Sequence, residues 1–292
     1  MKIIVSVSII ILIILFLLAV NKFLPERPNK IDLAENYPFL LETTWHQAGE
    51  YARFMKSDSI LGSKAVAIAQ IAHYHKLNPV GRIDYIDSSG YQSINLDDYS
   101  FQHSQFVSFI DENTPDSSKE QMAKYLFCIA ALTDDDFEAS SRGIDERLRD
   151  YLNCLVRYHY YNRKQYLNHR SKIQSIVTWE IDANRPLILD FMDSDHFGQT
   201  VVIDGYVRKD DQFFVHLNFG LGGRYDGWYD LFDRIMKNRD DLHYRSFMTI
   251  IPNIENPFFE IIQDTSSITD IPFEDVIIQV EDSVVFPKDS PD

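Results

Sequence analysis

The sequence predicts an α+β fold, and three observations carry that prediction. The run Gly62-Ser63-Lys64-Ala65-Val66-Ala67-Ile68-Ala69-Gln70-Ile71-Ala72-His73-Tyr74-His75 is small and apolar on two adjoining helical faces, wider than a surface stripe, and reads as a buried helix. Helical periodicity returns at Ser117–Leu132, with Met122, Tyr125, Leu126, Ile129 and Leu132 on one side, and at Leu148, Tyr151, Leu152 and Leu155. Thr200–Tyr206 and Gln212–Asn218 are rich in β-branched and aromatic residues and flank the turn Arg208-Lys209-Asp210-Asp211, the pattern of a hairpin. Helical segments and a hairpin pattern thus occur together in one chain.

Ahead of these elements, Ile3 to Val20 are 18 uncharged, almost wholly apolar residues, close to the minimum for spanning a bilayer. Both a signal peptide and an uncleaved anchor fit this run. It exceeds a usual signal core, Ala19-Val20-Asn21 is a poor cleavage site, and no lipobox cysteine follows, so an N-terminal transmembrane helix is expected over residues 1–22. Lys2 precedes the run while Lys22, Arg27 and Lys30 follow it; the positive-inside rule therefore gives no support to an outside domain. Residues 23–31, with Pro25 and Pro28, read as a tether. The folded domain is expected over 32–252, and 253–292 is an acidic tail whose ten acidic residues face Lys288 alone. The tail's short apolar clusters fit either an added strand or a flexible arm.

Within the domain, Asn78-Pro79 and Gly81 close the first helix. Arg82 to Phe106 is polar, with turns at Ser88-Ser89-Gly90 and Asp97-Asp98. The second helix is capped near Asp116 or Ser117, and Ser140–Ile144 reads as a turn. Arg157 to Lys172 is locally basic and aromatic, but the chain's net charge of −16 argues against nucleic acid as a partner and for a solvated face over packed tyrosines. Trp179–Asn184 is a helix end and Leu187 begins a strand after Pro186. In Asn218-Phe219-Gly220-Leu221-Gly222-Gly223 the glycine spacing fits neither a P-loop nor a dinucleotide fingerprint. His73-x-His75 places its rings on different sides of a helix, unlike a zinc-chelating i, i+4 pair, and neither a metal nor a cofactor is expected. Cys128 and Cys154 are too few for a disulfide framework and read as buried free thiols, with one disulfide between them the alternative.

Ser63 stands where the first helix begins. The usual role there is an N-cap; the chemical alternative is a nucleophile at the positive end of the helix dipole. The run from Gly62 to His75 resembles the nucleophile helix of the streptopain family of papain-like cysteine peptidases, which starts Gly-Cys-Val-Ala, continues Ala-x-Ala-Gln-Ile and ends near Tyr-His. Ser63 occupies the place of the cysteine. Thr43-Thr44-Trp45-His46-Gln47 is similar to the family's Thr-x-Trp-x-Gln segment, and the resemblance implies that Gln47 is the oxyanion donor. Gly198-Gln199-Thr200-Val201-Val202-Ile203-Asp204-Gly205-Tyr206 resembles Gly-His-Ala-x-Val-x-Asp-Gly-Tyr, with Gln199 at the base position. Asn218-Phe219-Gly220-Leu221-Gly222-Gly223 resembles Asn-Trp-Gly-Trp-Gly-Gly, and Asn218 matches the orienting asparagine. These motifs span roughly residues 35 to 250.

The resemblance implies a papain-like fold, helical part against antiparallel sheet with a cleft between, lying outside the cytoplasm. It also implies a site whose support groups match and whose reacting groups do not. A serine hydroxyl depends on a base to become nucleophilic, and a glutamine amide has no basic nitrogen. The reading is therefore a catalytically inactive, membrane-anchored peptidase homologue that binds peptide or a partner protein in its cleft. The alternative is an active peptidase with a rearranged base, for which His196, three residues before Gln199, is the candidate. His46, His73, His75 and His216 are weaker candidates, because distance or lack of an orienting group stands against each.

Overall fold

The computed structural model describes residues 28–33, 36–55, 60–87, 90–133, 143–192, 198–237 and 241–252. The apolar run of residues 3–20, the acidic tail, the turn at Ser140 and His196 lie outside the described residues. Among the described residues no helix is long and apolar enough to cross a membrane. The chain divides into residues 1–253 and 254–292; the fold below belongs to the first unit.

Helix α1 (Ser63–Tyr74) is buried without a break from Ala65 to Ala72, as its two-faced apolar pattern predicts. It packs against α2 (Asp116–Thr133) and against the sheet. The face predicted for α2 is buried, Met122, Tyr125, Leu126, Ile129 and Leu132 all being inaccessible, and Asp116 lies in its first turn, where a carboxylate complements the helix dipole. Helix α3 (Ile144–Leu152) ends earlier than the periodicity suggests. Asn153 adopts a left-handed conformation with φ of 47°, which stops a helix. Cys154 and Leu155 therefore open strand β3 (Cys154–Asn162) instead of continuing the helix. Cys128 and Cys154 are both buried and unpaired, and burial pushes each thiol up to about 12.

The polar stretch after α1 also differs from its reading as turns alone. It forms the hairpin β1 (Arg82–Asp87) and β2 (Gly90–Asn95), paired antiparallel from Arg82 opposite Asn95 to Asp87 opposite Gly90. It forms a separate two-stranded sheet, and among its described side chains Ile83 and Ile94 turn into the core.

Two short helices follow β3. Helix α4 (Arg163–Asn168) opens with a capping box between Asn162 and Gln165, and α5 (Arg170–Asp182) comes directly after. In the basic, aromatic segment Tyr161 and Tyr166 are buried, while Tyr158, Tyr160, Arg163, Lys164, Arg170 and Lys172 are exposed. Glu180 is inaccessible and takes both Arg157 and Arg185, the latter at 2.5 Å, while Trp179 stacks between the two guanidiniums at 4.6 and 4.7 Å. Strands β4 (Leu187–Met192), β5 (Gly198–Lys209), β6 (Gln212–Asn218), β7 (Gly227–Asp230) and β8 (Tyr244–Pro252) complete an antiparallel six-stranded sheet in the order β3-β8-β4-β5-β6-β7. The predicted β5–β6 hairpin is present, and its turn residues Asp210 and Asp211 both have positive φ, the geometry that matches strand twist. One apolar cluster joins α1, α2 and α3 to one side of the sheet. A second fills the space between the other side, α4 and α5.

His73 and His75, on the last turn of α1 and just after it, are both pushed down to about 4, chiefly by burial. His73 meets His103 ring to ring, Nδ1 to Nδ1 at 2.9 Å. Between about pH 6.5 and pH 4 the unfolded chain binds more protons at these positions than the folded chain, so they weaken the fold as pH falls through that window. Asp226, raised to about 6 by burial, has the opposite sign, since its protonation favours the folded state. A His73→Gln, His75→Gln variant is therefore expected to lose less stability than the wild type between pH 7 and pH 5. After discounting for partial exposure the difference is roughly 1–2 kcal/mol. Urea unfolding at both pH values reads it, and equal losses in the two proteins would contradict the argument.

Candidate functional site

Ser63 is the first residue inside α1, and Gly62 is the N-cap; no side chain caps this helix end. The N-cap role open to Ser63 is thus not the one it takes. Its Oγ instead accepts a hydrogen bond from the backbone N–H of Thr200 at 3.2 Å. That contact joins the helical half to β5 at the residue following Gln199. Ser63 and Gln199 line one cavity of about 250 Å³, together with Lys64, Tyr158, Asp190, Thr200 and Tyr244. Gln199 donates from Nε2 to the Thr200 carbonyl at 3.4 Å. Thr200 in turn donates from Oγ1 to Asp190 at 2.5 Å. Burial raises the phenols of Tyr158 and Tyr244, the latter to about 12, with Asp190 adding to both shifts; they face the cavity as protonated hydroxyls.

Among the described residues no histidine lines this cavity. His46 accepts the Ala48 N–H at its Nδ1 and lines a separate cavity with Glu50, Tyr51 and Phe109. His216 pairs with Asp204 at 2.6 Å, and His73 with His103. A larger groove of about 720 Å³, between residues 37–40, the end of α5 and β5, contains none of the four predicted site residues.

Gln47 is buried, and its backbone carbonyl accepts the Leu61 N–H at 2.8 Å, which ties it to the lead into Ser63. Asn218 ends β6 and is also buried. Its Oδ1 accepts from Gln70 Nε2 at 3.0 Å and from the Gly220 N–H at 2.9 Å. Its Nδ2 donates to the Thr43 carbonyl at 2.6 Å and to Gln70 Oε1 at 3.3 Å. An asparagine amide offers two donors and two acceptor sites, and all are engaged. The structure thus turns Asn218 toward α1 and the Thr43 segment and leaves it nothing with which to orient residue 199.

The glycine loop follows from the same packing. Gly220 has a φ of +63°, and a Cβ there would sit 2.8 Å from Val66 of α1; only glycine allows the loop to approach one helical turn beyond Ser63.

The sequence reading did not single out Gln70, Asp190 or Thr200. For Gln70 a signal existed. A lone amide within an otherwise apolar, buried run must find a buried partner, and that partner is Asn218, 148 residues away in sequence. Asp190 and Thr200 gave no comparable signal, because each lies on a strand of ordinary composition.

A helical half and an antiparallel sheet, with a cavity where the first buried helix meets a central strand, define a papain-like peptidase architecture. The Peptidase C10 family matches residues 45–229, and the chain belongs to that family, the streptopain family. Two solved structures are similar to it. A fragment of prointerpain A from Prevotella intermedia, carrying a point mutation, is 22% identical with a TM-score of 0.57, covering 80% of this chain and 78% of that one. The active wild-type interpain A cysteine protease of the same organism is 20% identical with a TM-score of 0.57, covering 75% of this chain and 97% of that one. At these identities the likeness is one of fold. No curated protein matches the chain.

Proposed function

We propose that this chain is a catalytically inactive member of its family that holds a peptide or a partner protein in the cleft beside Ser63. The observation that carries the proposal is the cavity shared by Ser63 and Gln199, the two residues that the sequence resemblance puts at the family's nucleophile and base positions. Ser63 there accepts a backbone hydrogen bond, and Gln199 offers only an amide. Attack by a hydroxyl needs a base within hydrogen-bond reach, and a glutamine side chain holds no proton-accepting nitrogen at neutral pH. The apolar run of residues 3–20 would anchor the chain in a membrane with the folded part outside the cytoplasm. The net charge of −16 stands against nucleic acid as a partner.

The test is a diverse peptide library offered to the purified protein, with binding and cleavage read separately. Binding without cleavage is the expected result. Cleavage abolished in Ser63→Ala, with covalent labelling of Ser63 by a serine-directed probe, would replace this reading with an active peptidase using a rearranged base. That second reading draws on the placement of Ser63, which lines the cleft rather than capping its helix.

A further inference from the structure

The β5–β6 register slips between Ile203 and Gly205: Ile203 pairs with Leu217 and Gly205 with His216. Asp204 is the extra residue. A bulge of this kind re-aims a side chain and frees a backbone group, and both consequences are visible. The Asp204 carbonyl accepts the Leu40 N–H at 2.8 Å. The carboxyl, inaccessible to solvent, meets His216 Nδ1 at 2.6 Å through one oxygen and accepts the Leu41 N–H at 3.3 Å through the other. Phe39 lies flat on the His216 ring, 4.1 Å between centroids and 8° between planes. The fit leaves no slack, since a Cβ on Gly205 would come within 3.0 Å of both Phe39 and the Pro38 carbonyl.

The chain that Asp204 and His216 grip leads on to the Asn218–Gln70 amide pair. Two residues past Leu41, the Thr43 carbonyl takes the Asn218 amide. Trp45 then donates its backbone N–H to Gln70 Oε1 at 3.2 Å, and Gln47 follows. Both strands that form the pair also reach the site: Asp204 shares β5 with Gln199, and His216 is two residues before Asn218 on β6. Neither Asp204 nor His216 lines the cavity that contains Ser63.

We infer that Asp204 and His216 are a positioning pair for the cleft, holding residues 39–47 so that the Thr43 carbonyl stays on Asn218, the Trp45 N–H on Gln70, and the Gln47 carbonyl on the Leu61 N–H that leads into Ser63. The inference rests on reading Gln47 and Asn218 as cleft groups, but its test does not require a bound peptide. The side-chain amide signals of Gln47, Gln70 and Asn218 are followed by NMR in the full-length chain in detergent.

Asp204→Asn and His216→Leu are expected to shift these signals and to abolish the slow exchange of the Asn218 and Gln70 amide protons. His216→Asn, which keeps an N–H directed at Asp204, is expected to restore most of the protection. Phe39→Ala removes a half-exposed ring and is expected to move the same signals in the same direction. Unmoved amides in a folded Asp204→Asn protein overturn the inference, as does a His216→Asn protein no better protected than His216→Leu. Should Asp204→Asn fail to fold, Phe39→Ala decides by the same signals. A chain that binds no peptide would overturn the proposed function and leave these amide signals as they are.

Discussion

A Ser63→Cys, Gln199→His double variant is expected to cleave peptides that the wild type leaves intact. Position 63 is the first helical residue of α1, where the helix dipole stabilises an anion and lowers a thiol's pKa. Position 199 neighbours Thr200, whose N–H already reaches the side chain at 63 at 3.2 Å. A histidine there stands close enough to share the thiol proton, and a positioned acid–base group contributes roughly 100-fold or more in rate. The gain has a built-in ceiling. Asn218 spends its amide on Gln70, Thr43 and Gly220, so the new imidazole lacks the partner that would fix its orientation, and part of the catalytic effect is lost with it. Single variants should remain silent, because nucleophile and base act as a unit. Product formation by mass spectrometry distinguishes the four proteins. A folded but silent double variant would mean that this cavity is not a vacated peptidase centre.

Asn218→Leu is expected to be among the most destabilising single substitutions in the molecule. Leucine is of similar size, so packing changes little. The polar consequences are larger: the Gln70 amide, the Thr43 carbonyl and the Gly220 N–H each lose a partner in a buried environment. Stranding one buried polar group costs about 1–3 kcal/mol. The groups are neighbours and their losses do not simply add, which puts the expected total at about 3–5 kcal/mol. For a domain of this size that lowers the melting temperature by roughly 10 °C or more. Chemical and thermal unfolding both read the change. A loss below about 1 kcal/mol would show that water replaces the missing amide, and the network would then be dispensable. Gln70→Leu, which deletes the other half of the amide pair, should behave similarly, and the two together should cost less than their sum.

Much of this fold is written in local pattern. The small and apolar run from Ala65 to Ala72, interrupted only by Gln70, dictates a helix buried on all sides, because no face of it can be given to water. The stripe on α2 and the hairpin of β5 and β6 follow from periodicities of 3.6 and 2. The family resemblance points to Ser63, Gln47, Gln199 and Asn218, and the fold brings the first and third to one cavity. Other features were decided only in three dimensions. The left-handed Asn153 cut α3 short and sent Leu155 into a strand, against a periodicity that favoured helix. The hairpin β1–β2 lacks the regular apolar–polar alternation that announces a strand. Whether Ser63 caps its helix depends on what lies across from it, and the N–H across from it belongs to Thr200, 137 residues away. Asn218 could be matched to a motif, but which groups it satisfies is a property of the packed core. Local sequence sets which residues must be buried. The partners of the buried polar groups are chosen by the tertiary structure, since each must be satisfied by whatever the fold brings within about 3 Å, however far away in the chain.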